Sequence, residues 1–434
     1  MNENYKNWDH QHVWHPFTQM KEYLAEDSLV IERAEGNYVI DTEGHRYLDA
    51  ISSLWVNVHG HAKKEINDAI KAQLDKIAHS TLLGSANIPA TELAKKLVDL
   101  VHEKLKTEKI NHVFYSDNGS TAVEVALKIA FEYWQLKTPK KEYSQKQKFV
   151  SFRDAYHGDT IGAVSVGHIE MFHEIYRPLL FPTIQAPSPK DPECLDWVKN
   201  RFKKDAQKIA AVVIEPLVQG AGGMIVQPDG FLKKLKSLCE QYEVLFIADE
   251  VATGFGRTGT MFACEQEGVV PDLMCLAKGL TGGYLPLAAT LATSEIYEAF
   301  LGNYSEYKTF FHGHSYTGNQ LGCAAALANL DIFEKEKVLE SLPSKIQTLT
   351  ESLQRLKSLS SVIEIRQKGL MVGIEIGPYP LESRVAHKLC LAARKKHILI
   401  RPLGNTIVLM PPLSITEDEI NLLCAVVYDL ISAL

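Results

Sequence analysis

The segment Val244-Leu245-Phe246-Ile247-Ala248-Asp249-Glu250 runs from five apolar residues directly into two carboxylates. A second apolar run, Leu273-Met274-Cys275-Leu276-Ala277, leads in the same way into Lys278. Short apolar runs of this kind are typical of strands that are buried on both faces of a parallel sheet. Ligands of such sheets bind beyond the carboxyl ends of the strands. The two segments therefore predict that Asp249 and Lys278 enter one crevice from neighbouring strands.

Similar apolar runs alternate with longer amphipathic stretches through the middle of the chain. The strand candidates are residues 112–116, 148–152, 210–215, 244–248 and 273–277. Clear helical stretches between them are residues 122–134 and 231–242. This alternation predicts an α/β fold in which a mainly parallel sheet is covered by helices on both faces.

The two ends of the chain have a different pattern. N-terminal strand candidates, separated by turn-forming residues and typical of a small antiparallel meander, are residues 30–32, 38–41 and 46–49. C-terminal strand candidates, which alternate with helices, are residues 362–366, 370–376, 398–401 and 406–410. We therefore expect a large domain over residues 61–325. A small α+β domain should combine residues 1–60 with residues 326–434.

Composition limits the classes of function. The chain has 434 residues, 46% of them hydrophobic, and is long enough for a large core with more than one domain. A formal net charge of −7 argues against nucleic-acid binding and favours small-molecule substrates. The sequence has neither a secretory signal nor the roughly 18 apolar residues of a membrane span, so we expect a cytoplasmic protein without membrane contact. The seven scattered cysteines favour buried, reduced thiols.

A lysine and a carboxylate that share one crevice match the needs of pyridoxal phosphate. The Lys278 amine can form a Schiff base with the cofactor aldehyde, and the Asp249 carboxylate can keep the pyridine nitrogen protonated. A lysine at a buried strand end can also have a depressed pKa, which favours nucleophilic and proton-transfer roles. Taken alone, the same two residues are also compatible with an ordinary ion pair at strand ends.

Three further strand ends carry candidate cofactor contacts. Ser116-Asp117-Asn118-Gly119-Ser120-Thr121 links a strand to a strongly helical stretch, so backbone N–H groups near Gly119 and Ser120 can bind a phosphate. Tyr156 follows the strand at residues 148–152 and can stack on a pyridine ring, and Glu215 points towards the same crevice. A plain capping turn and capping residues of the two loops remain alternatives.

Two other motifs are weaker indicators of function. Gly254-Phe255-Gly256-Arg257-Thr258-Gly259 matches G-x-G-x-x-G, but it lies past its strand and opens no obvious helix, which argues against a dinucleotide site. His59-Gly60-His61 and His312-Gly313-His314 lack clustered carboxylates or cysteines. We therefore expect loop histidines there and no metal site.

Together these residues resemble the class III aminotransferases, which are fold-type I pyridoxal-phosphate enzymes. The longest match is Ile247-Ala248-Asp249-Glu250-Val251-Ala252-Thr253-Gly254-Phe255-Gly256-Arg257-Thr258-Gly259, followed at the expected distance by Ala277-Lys278-Gly279. The resemblance covers nearly the whole chain. It implies a large cofactor-binding domain with a mainly parallel sheet of the seven-stranded type, plus a small α+β domain from both chain ends.

Several motifs are similar to those of one branch of this family. They are Trp14-His15-Pro16-Phe17-Thr18, Ser52-Ser53-Leu54-Trp55, Tyr156-His157-Gly158-Asp159-Thr160, Val218-Gln219-Gly220-Ala221-Gly222-Gly223-Met224 and Ile400-Arg401-Pro402-Leu403-Gly404. That branch converts 8-amino-7-oxononanoate to 7,8-diaminononanoate in biotin biosynthesis. Its usual amino donor is S-adenosylmethionine, and some members are thought to use L-lysine. The resemblance implies the same reaction for this chain.

The resemblance also implies a role for each matching position. Lys278, Asp249 and Tyr156 are the implied catalytic residues. The implied cofactor contacts are Gly119, Ser120, Tyr156, Glu215, Asp249, Lys278, His314 and Ser315. The implied substrate contacts are Phe17, Leu54, Trp55, Tyr156, Lys278, Gly313 and Arg401. Arg401 suits a carboxylate, and Ser315 is implied to reach the phosphate of the other subunit in a homodimer with shared sites.

Three positions depart from the pattern of the adenosylmethionine users. Phe17 replaces a tyrosine, Leu54 replaces the first of two tryptophans, and His314-Ser315 replaces Pro-Thr. The aromatic losses fall where an adenine ring would stack, which favours lysine as the donor. Two rival functions stay open, namely another ω-amine or ω-amino-acid transaminase and a non-catalytic regulator with the same fold. The intact Lys278 and Asp249 pair argues against the regulator.

Overall fold

The computed structural model describes residues 2–137 and 143–434. In these ranges the helices are α1 (Asn2–His12), α2 (Met20–Tyr23), α3 (Ser52–Trp55), α4 (Lys64–Leu74), α5 (Ile88–Leu105), α6 (Gly119–Leu136), α7 (Ile161–Val166), α8 (Glu170–His173), α9 (Cys194–Asp205), α10 (Phe231–Gln241), α11 (Ser294–Glu298), α12 (Gln320–Lys335), α13 (Leu342–Gln354), α14 (Val385–Arg394) and α15 (Glu417–Ser432). The strands are β1 (Ile31–Glu35), β2 (Tyr38–Asp41), β3 (Arg46–Asp49), β4 (Ile110–Ser116), β5 (Lys148–Phe152), β6 (Ile184–Ala186), β7 (Ile209–Ile214), β8 (Val218–Gln219), β9 (Ile225–Val226), β10 (Leu245–Asp249), β11 (Leu273–Leu276), β12 (Ala288–Thr293), β13 (Val362–Lys368), β14 (Met371–Ile376), β15 (Ile398–Leu399), β16 (Arg401–Leu403) and β17 (Thr406–Leu409).

A seven-stranded sheet in the order β4-β12-β11-β10-β7-β5-β6 forms the centre of the molecule. β12 is antiparallel to both of its neighbours, and the other strands share one direction. Every residue of β7 is buried, as expected for a strand that is covered on both faces. The prediction of a mainly parallel sheet is therefore confirmed.

The connection from β4 to α6 brings a helix N-terminus to the carboxyl edge of this sheet. The Asn118 side chain accepts a hydrogen bond from the Thr121 backbone N–H at 3.0 Å, and the Thr121 hydroxyl accepts one from the Asn118 N–H at 3.2 Å. This reciprocal capping box starts the helix at Gly119, directly after the strand. Beyond its cap, α6 packs its buried face on β7, β11 and β12.

Two four-stranded sheets of the described residues lie outside the central one, in addition to the short β8-β9 pair. The first, β1-β2-β3-β15, joins both ends of the chain, because β15 pairs in parallel with β3 and aligns Ile398 with Leu48. The second is the antiparallel sheet β13-β14-β17-β16. Helix α12 spans residues 325 and 326 and packs against α4 and α5. We therefore propose that the large domain, expected to end at residue 325, extends to the end of α12.

The G-x-G-x-x-G segment connects the central sheet to the small sheets. The Arg257 guanidinium is buried and donates to the backbone carbonyls of Pro411 and Asn57. The Arg257 carbonyl in turn accepts from the Leu370 N–H at 3.0 Å. Phe255, Gly256 and Gly259 have positive φ values, so the segment forms a compact turn. In the described structure, this turn accounts for the glycines of the motif without a dinucleotide-binding role.

All seven cysteines are buried and unpaired, which confirms the prediction of buried thiols. The histidines of the two H-G-H motifs bind protein groups in the structure. His61 contacts the Asp49 carboxylate at 2.9 Å, and His59 contacts the Asn329 carbonyl at 3.3 Å. Among the described residues, no cluster of histidine, cysteine and acidic side chains is arranged to hold a metal ion. None of the helices in the described ranges is long and apolar enough to cross a membrane.

Candidate active site

A cavity of about 710 Å³ lies at the carboxyl edge of the central sheet. Its walls come from the ends of β10 and β11, the start of α6, residues 156–160 and residues 283–287. Asp249 and Lys278 both line it. The parallel register of β10 and β11 aligns Asp249 with Cys275, three residues before Lys278. The prediction that these two side chains share one crevice is therefore confirmed.

Lys278 is enclosed without an ion-pair partner. Its amine lies 4.8 Å from the centre of the Trp55 ring, and no ion pair of the described residues includes it. Burial lowers the pKa of Lys278 to about 8, against the opposing charges of Asp249 and Glu215. Its backbone has a φ of 45°, which is uncommon for a residue with a side chain. The amine therefore has an appreciable neutral fraction near neutral pH and can act as a nucleophile.

Asp249 is held by a buried histidine. His157 Nδ1 lies 2.7 Å from one Asp249 oxygen, and the Val251 N–H donates to the other oxygen at 3.1 Å. Burial alone would lower the pKa of His157, but its hydrogen bond and charge interaction with Asp249 outweigh burial and raise it. His157 Nε2 is buried without a partner in the described structure. The pair gives the cavity floor a carboxylate in a fixed orientation.

Glu215 lines the same cavity, but its carboxylate is occupied by backbone groups. It accepts from the Tyr156 N–H at 3.1 Å and from the Gly220 N–H at 2.8 Å. Burial raises the pKa of Glu215 to about 7, although the His157 charge and these two N–H groups act in the opposite direction. Glu215 thus fixes the backbone at Tyr156, whose hydroxyl donates to Asp159 at 2.7 Å.

The start of α6 forms a candidate anion cradle in the same cavity as Lys278. Gly119 and Ser120 line the cavity, and the Ser120 hydroxyl lies 2.8 Å from the Thr160 hydroxyl and accepts from the Thr160 N–H at 2.9 Å. Gly158 has a φ of 117°, and a Cβ at this position would lie 2.3 Å from the Ser120 Cβ. Only glycine allows this loop to approach the helix terminus so closely. The N-terminus of an 18-residue helix is a favourable site for a phosphate.

The family described as "Aminotransferase class-III" matches residues 22–431. This chain belongs to the class III aminotransferases.

Individual relatives agree with this membership. An adenosylmethionine-8-amino-7-oxononanoate aminotransferase from Geobacter sulfurreducens is 52% identical, with 96% of this chain and 95% of the relative aligned. The crystal structure of a protein with the same name from Methanocaldococcus jannaschii is 48% identical, superposes with a TM-score of 0.96 and covers 100% of this chain and 99% of its own. The PLP-bound amine transaminase from an uncultivated Pseudomonas species is 35% identical, with a TM-score of 0.91 over 97% of this chain and 98% of its own.

This class III aminotransferase has the groups that pyridoxal phosphate requires. The cavity combines an amine for the aldehyde, a carboxylate for the pyridine nitrogen and a helix N-terminus for the phosphate. A side chain at position 158 would fill the space beside Ser120, so Gly158 leaves the helix N-terminus uncovered by its own loop. The residues present therefore fit the cofactor, and the protein is a pyridoxal-phosphate aminotransferase of fold type I.

The other predicted site residues lie at different distances from this cavity. Trp55 and Leu54 line it, on a short turn with positive φ values at Ser53 and Trp55. Phe17 is 54% exposed, and its ring packs edge-on against Phe172 at 5.5 Å. Leu54 and Trp55 are therefore placed for substrate contacts, whereas Phe17 lies outside the cavity lining in the described structure.

Arg401 and residues 313–315 are outside the lining of this cavity. Arg401 lies on β16, where burial lowers its pKa and the neighbouring Tyr156 opposes that effect. Gly313, His314 and Ser315 are exposed. In the described structure they do not line the cavity of their own chain. The predicted role of Ser315 therefore requires a second subunit.

Three further residues of this aminotransferase line the cavity without an individual role predicted from the sequence. His157, Gly158 and Thr160 directly follow Tyr156, and all three line the cavity. Their position in the cavity can be inferred from the sequence, because residues 156–160 directly follow the carboxyl end of β5 in the central sheet. The contact between His157 and Asp249 could not be predicted, since it depends on how closely two separate loops approach each other.

Proposed function

We propose that this aminotransferase converts 8-amino-7-oxononanoate to 7,8-diaminononanoate, a step of biotin biosynthesis. The observation that carries the reaction type is the single cavity shared by the Lys278 amine, the Asp249–His157 pair and the N-terminus of α6. The names of relatives up to 52% identical support the choice of substrate.

Conversion of 8-amino-7-oxononanoate by the purified protein tests the proposal. Turnover of simple ω-amines without turnover of this ketone would favour the second candidate, a general amine transaminase, which the Pseudomonas relative supports.

Each residue of the cavity has a distinct part in this reaction. Pyridoxal phosphate, when bound, supplies an aldehyde for the transferred amino group and a ring that withdraws electrons from the reacting carbon. Lys278 would hold the cofactor covalently, and its amine, when free, would take and return a proton at the reacting carbon. A pKa of about 8 suits this exchange near neutral pH. Asp249, oriented by His157 at 2.7 Å, would supply the negative charge that keeps the pyridine nitrogen protonated.

The α6 cradle and the cavity walls act mainly by positioning. The N–H groups at Gly119 and Ser120 would bind the phosphate, and Thr160 fixes the Ser120 hydroxyl. Tyr156 and Trp55 present aromatic faces inside the cavity. These faces exclude water from the ring and orient the amine of Lys278, which already lies against Trp55.

Arg401 is the proposed partner of the substrate carboxylate. A bidentate guanidinium–carboxylate pair in a partly dry pocket is worth a few kcal/mol, so Arg401→Ala should raise the KM for 8-amino-7-oxononanoate by about 10²-fold. Steady-state kinetics with each substrate varied separately measures the effect. The matched control is Arg366→Ala, because Arg366 lies on β13 of the same sheet and bonds the Gly223 carbonyl and the Glu364 and Glu375 carboxylates. That variant should lose stability with little change in KM, and the same result for Arg401→Ala would assign it a structural role.

S-adenosylmethionine is the proposed amino donor. The names of the relatives support it, and the rings of Phe17, Phe172 and Tyr156 form an edge-to-face series at 5.5 and 6.4 Å that offers faces for an adenine. L-lysine is the second candidate, because Leu54 lines the cavity with an aliphatic side chain and offers no aromatic face for an adenine ring. We expect product formation with S-adenosylmethionine at millimolar concentration and at most one-tenth of that rate with lysine. Mass spectrometry of the product with each donor alone measures this, and the reverse ratio would make lysine the donor.

We also propose that the protein is a homodimer with shared active sites. Large hydrophobic side chains are strongly exposed around residues 300–316, which favours an interface. The aromatic residues of this surface are Tyr304, Tyr307, Phe311 and Tyr316. A second copy would bury them and bring Gly313, His314 and Ser315 towards the phosphate cradle of its partner.

A further inference from the structure

The segment Phe311-His312-Gly313-His314-Ser315, named the strap here, is an irregular and mainly exposed stretch. Its base is anchored by aromatic packing, because the Phe310 ring lies 5.3 Å from Phe114 and 5.8 Å from Phe300. Beyond Phe310 the strap extends over the surface without joining a helix or a strand. Its shape therefore depends on side chains that reach it from other elements.

Two side chains from outside hold the strap at its two ends. The Lys128 amine donates to the Phe311 carbonyl at 3.1 Å and to His312 Nδ1 at 3.2 Å. At the other end, His79 Nε2 lies 2.6 Å from the Ser315 carbonyl, and its ring packs against Tyr316 at 5.0 Å. A lysine ammonium can only donate, so His312 must accept through an unprotonated Nδ1. Burial, and secondly the Lys128 charge, lower the pKa of His312 and keep its ring neutral.

Lys128 also belongs to the helix that forms the phosphate cradle. It lies eight positions after Ser120 on α6, about 12 Å along the axis at 1.5 Å per residue. At this distance it is too far from the cradle of its own chain to contact a bound phosphate. Its bonds instead fix a backbone carbonyl and a ring at the start of the strap, just before Gly313 and Ser315.

We propose that Lys128 is a positioning residue for the active site of the partner subunit. By fixing the start of the strap, it places Ser315 and the neighbouring backbone against the phosphate held by α6 of the other copy. One helix then serves two sites, since its N-terminus binds the phosphate of its own chain and Lys128 aligns the strap for the second. The inference rests on the proposed homodimer with shared sites.

Hybrid dimers separate this role from a general effect on stability. A dimer of one Lys278→Ala subunit and one subunit with Lys278 has a single competent site, which uses the strap of the Lys278→Ala subunit. In the trans hybrid, Lys128→Met is placed on the Lys278→Ala subunit, whose strap serves the competent site. In the cis hybrid, Lys128→Met is placed on the subunit that carries Lys278. Apo hybrids are titrated with pyridoxal phosphate, and the dissociation constant is read from cofactor absorbance. Borohydride reduction then measures the amount bound covalently.

We expect the trans hybrid to bind pyridoxal phosphate about tenfold more weakly than the parent hybrid, as for loss of a charge-assisted hydrogen bond. The cis hybrid should bind within about twofold of the parent. Lys128→Arg in trans should restore most of the affinity, because arginine also donates to a carbonyl and a ring nitrogen. Weaker binding in cis, or equal binding in all hybrids, would overturn the role of Lys128. A parent hybrid that bound no pyridoxal phosphate would instead overturn the proposed function.

Discussion

Lys278→Ala is expected to lower transamination by roughly five orders of magnitude, the scale seen when a covalent nucleophile is removed. The variant should also lose the covalent link to pyridoxal phosphate that borohydride reduction makes permanent. Lys278 is the lysine of the cavity lining, and its pKa of about 8 gives it the neutral amine that this link requires. Single-turnover kinetics measures the first effect, and absorbance spectra with peptide mapping after reduction measure the second.

Lys236→Ala is the matched control for this experiment. Lys236 binds Asp272 at 3.1 Å, and Asp272 immediately precedes β11 at the opposite edge of the same sheet. This pair is an ordinary strand-end ion pair, the arrangement that the sequence alone could not distinguish from the Lys278 and Asp249 pair. Its loss should reduce stability and leave the cofactor bound to Lys278. Normal turnover of Lys278→Ala, with the reducible label on another lysine, would contradict the assignment.

The central sheet and the ends of its strands could be predicted because they depend on local sequence. An apolar run of five residues that meets a charged residue marks both a buried strand and the edge where that strand ends. Asp249 and Lys278 were therefore predicted from two short segments. The start of α6 could also be predicted from the sequence, since Asn118 and Thr121 form a capping box within four residues.

The remaining features depend on residues far apart in the chain. β15 completes the N-terminal sheet by pairing Ile398 with Leu48, which no local pattern indicates. The buried guanidinium of Arg257 binds backbone carbonyls instead of carboxylates, so no charge pattern in the sequence indicates its partners. Glu215 was correctly placed at the cavity, yet its bonds to the N–H groups of Tyr156 and Gly220 follow from a tight turn that sequence composition leaves undefined.

Asp249 is expected to be the second most sensitive position. Asp249→Asn keeps the size of the side chain and a carbonyl oxygen for the Val251 N–H, but it removes the negative charge. Without this charge the pyridine nitrogen loses its proton more easily, and the ring withdraws electrons less effectively from the reacting carbon. We expect kcat to fall by roughly 10³-fold, as for loss of other preorganised charge-stabilising groups. Absorbance spectra should also change, while the covalent link to Lys278 persists.

The same substitution changes the environment of His157, which gives a second, independent measurement. In the unsubstituted protein the hydrogen bond to Asp249 raises the pKa of His157 despite burial, so the charged pair stabilises the fold at low pH. This contribution is complete below the ordinary histidine pKa of 6.5 and is lost as pH rises through the raised pKa. In Asp249→Asn burial should dominate and lower the pKa of His157, which reverses the sign of this pH dependence, so that stability falls as pH drops below 6.5. Thermal unfolding between pH 5 and 8 measures it. Asp272→Asn is the control, because Asp272 is a partly buried carboxylate of the same sheet that bonds Lys236 and the Phe246 N–H instead of a histidine. If both variants lost stability and kept kcat, Asp249 would be a structural carboxylate, and the cavity would need another group beside the pyridine nitrogen.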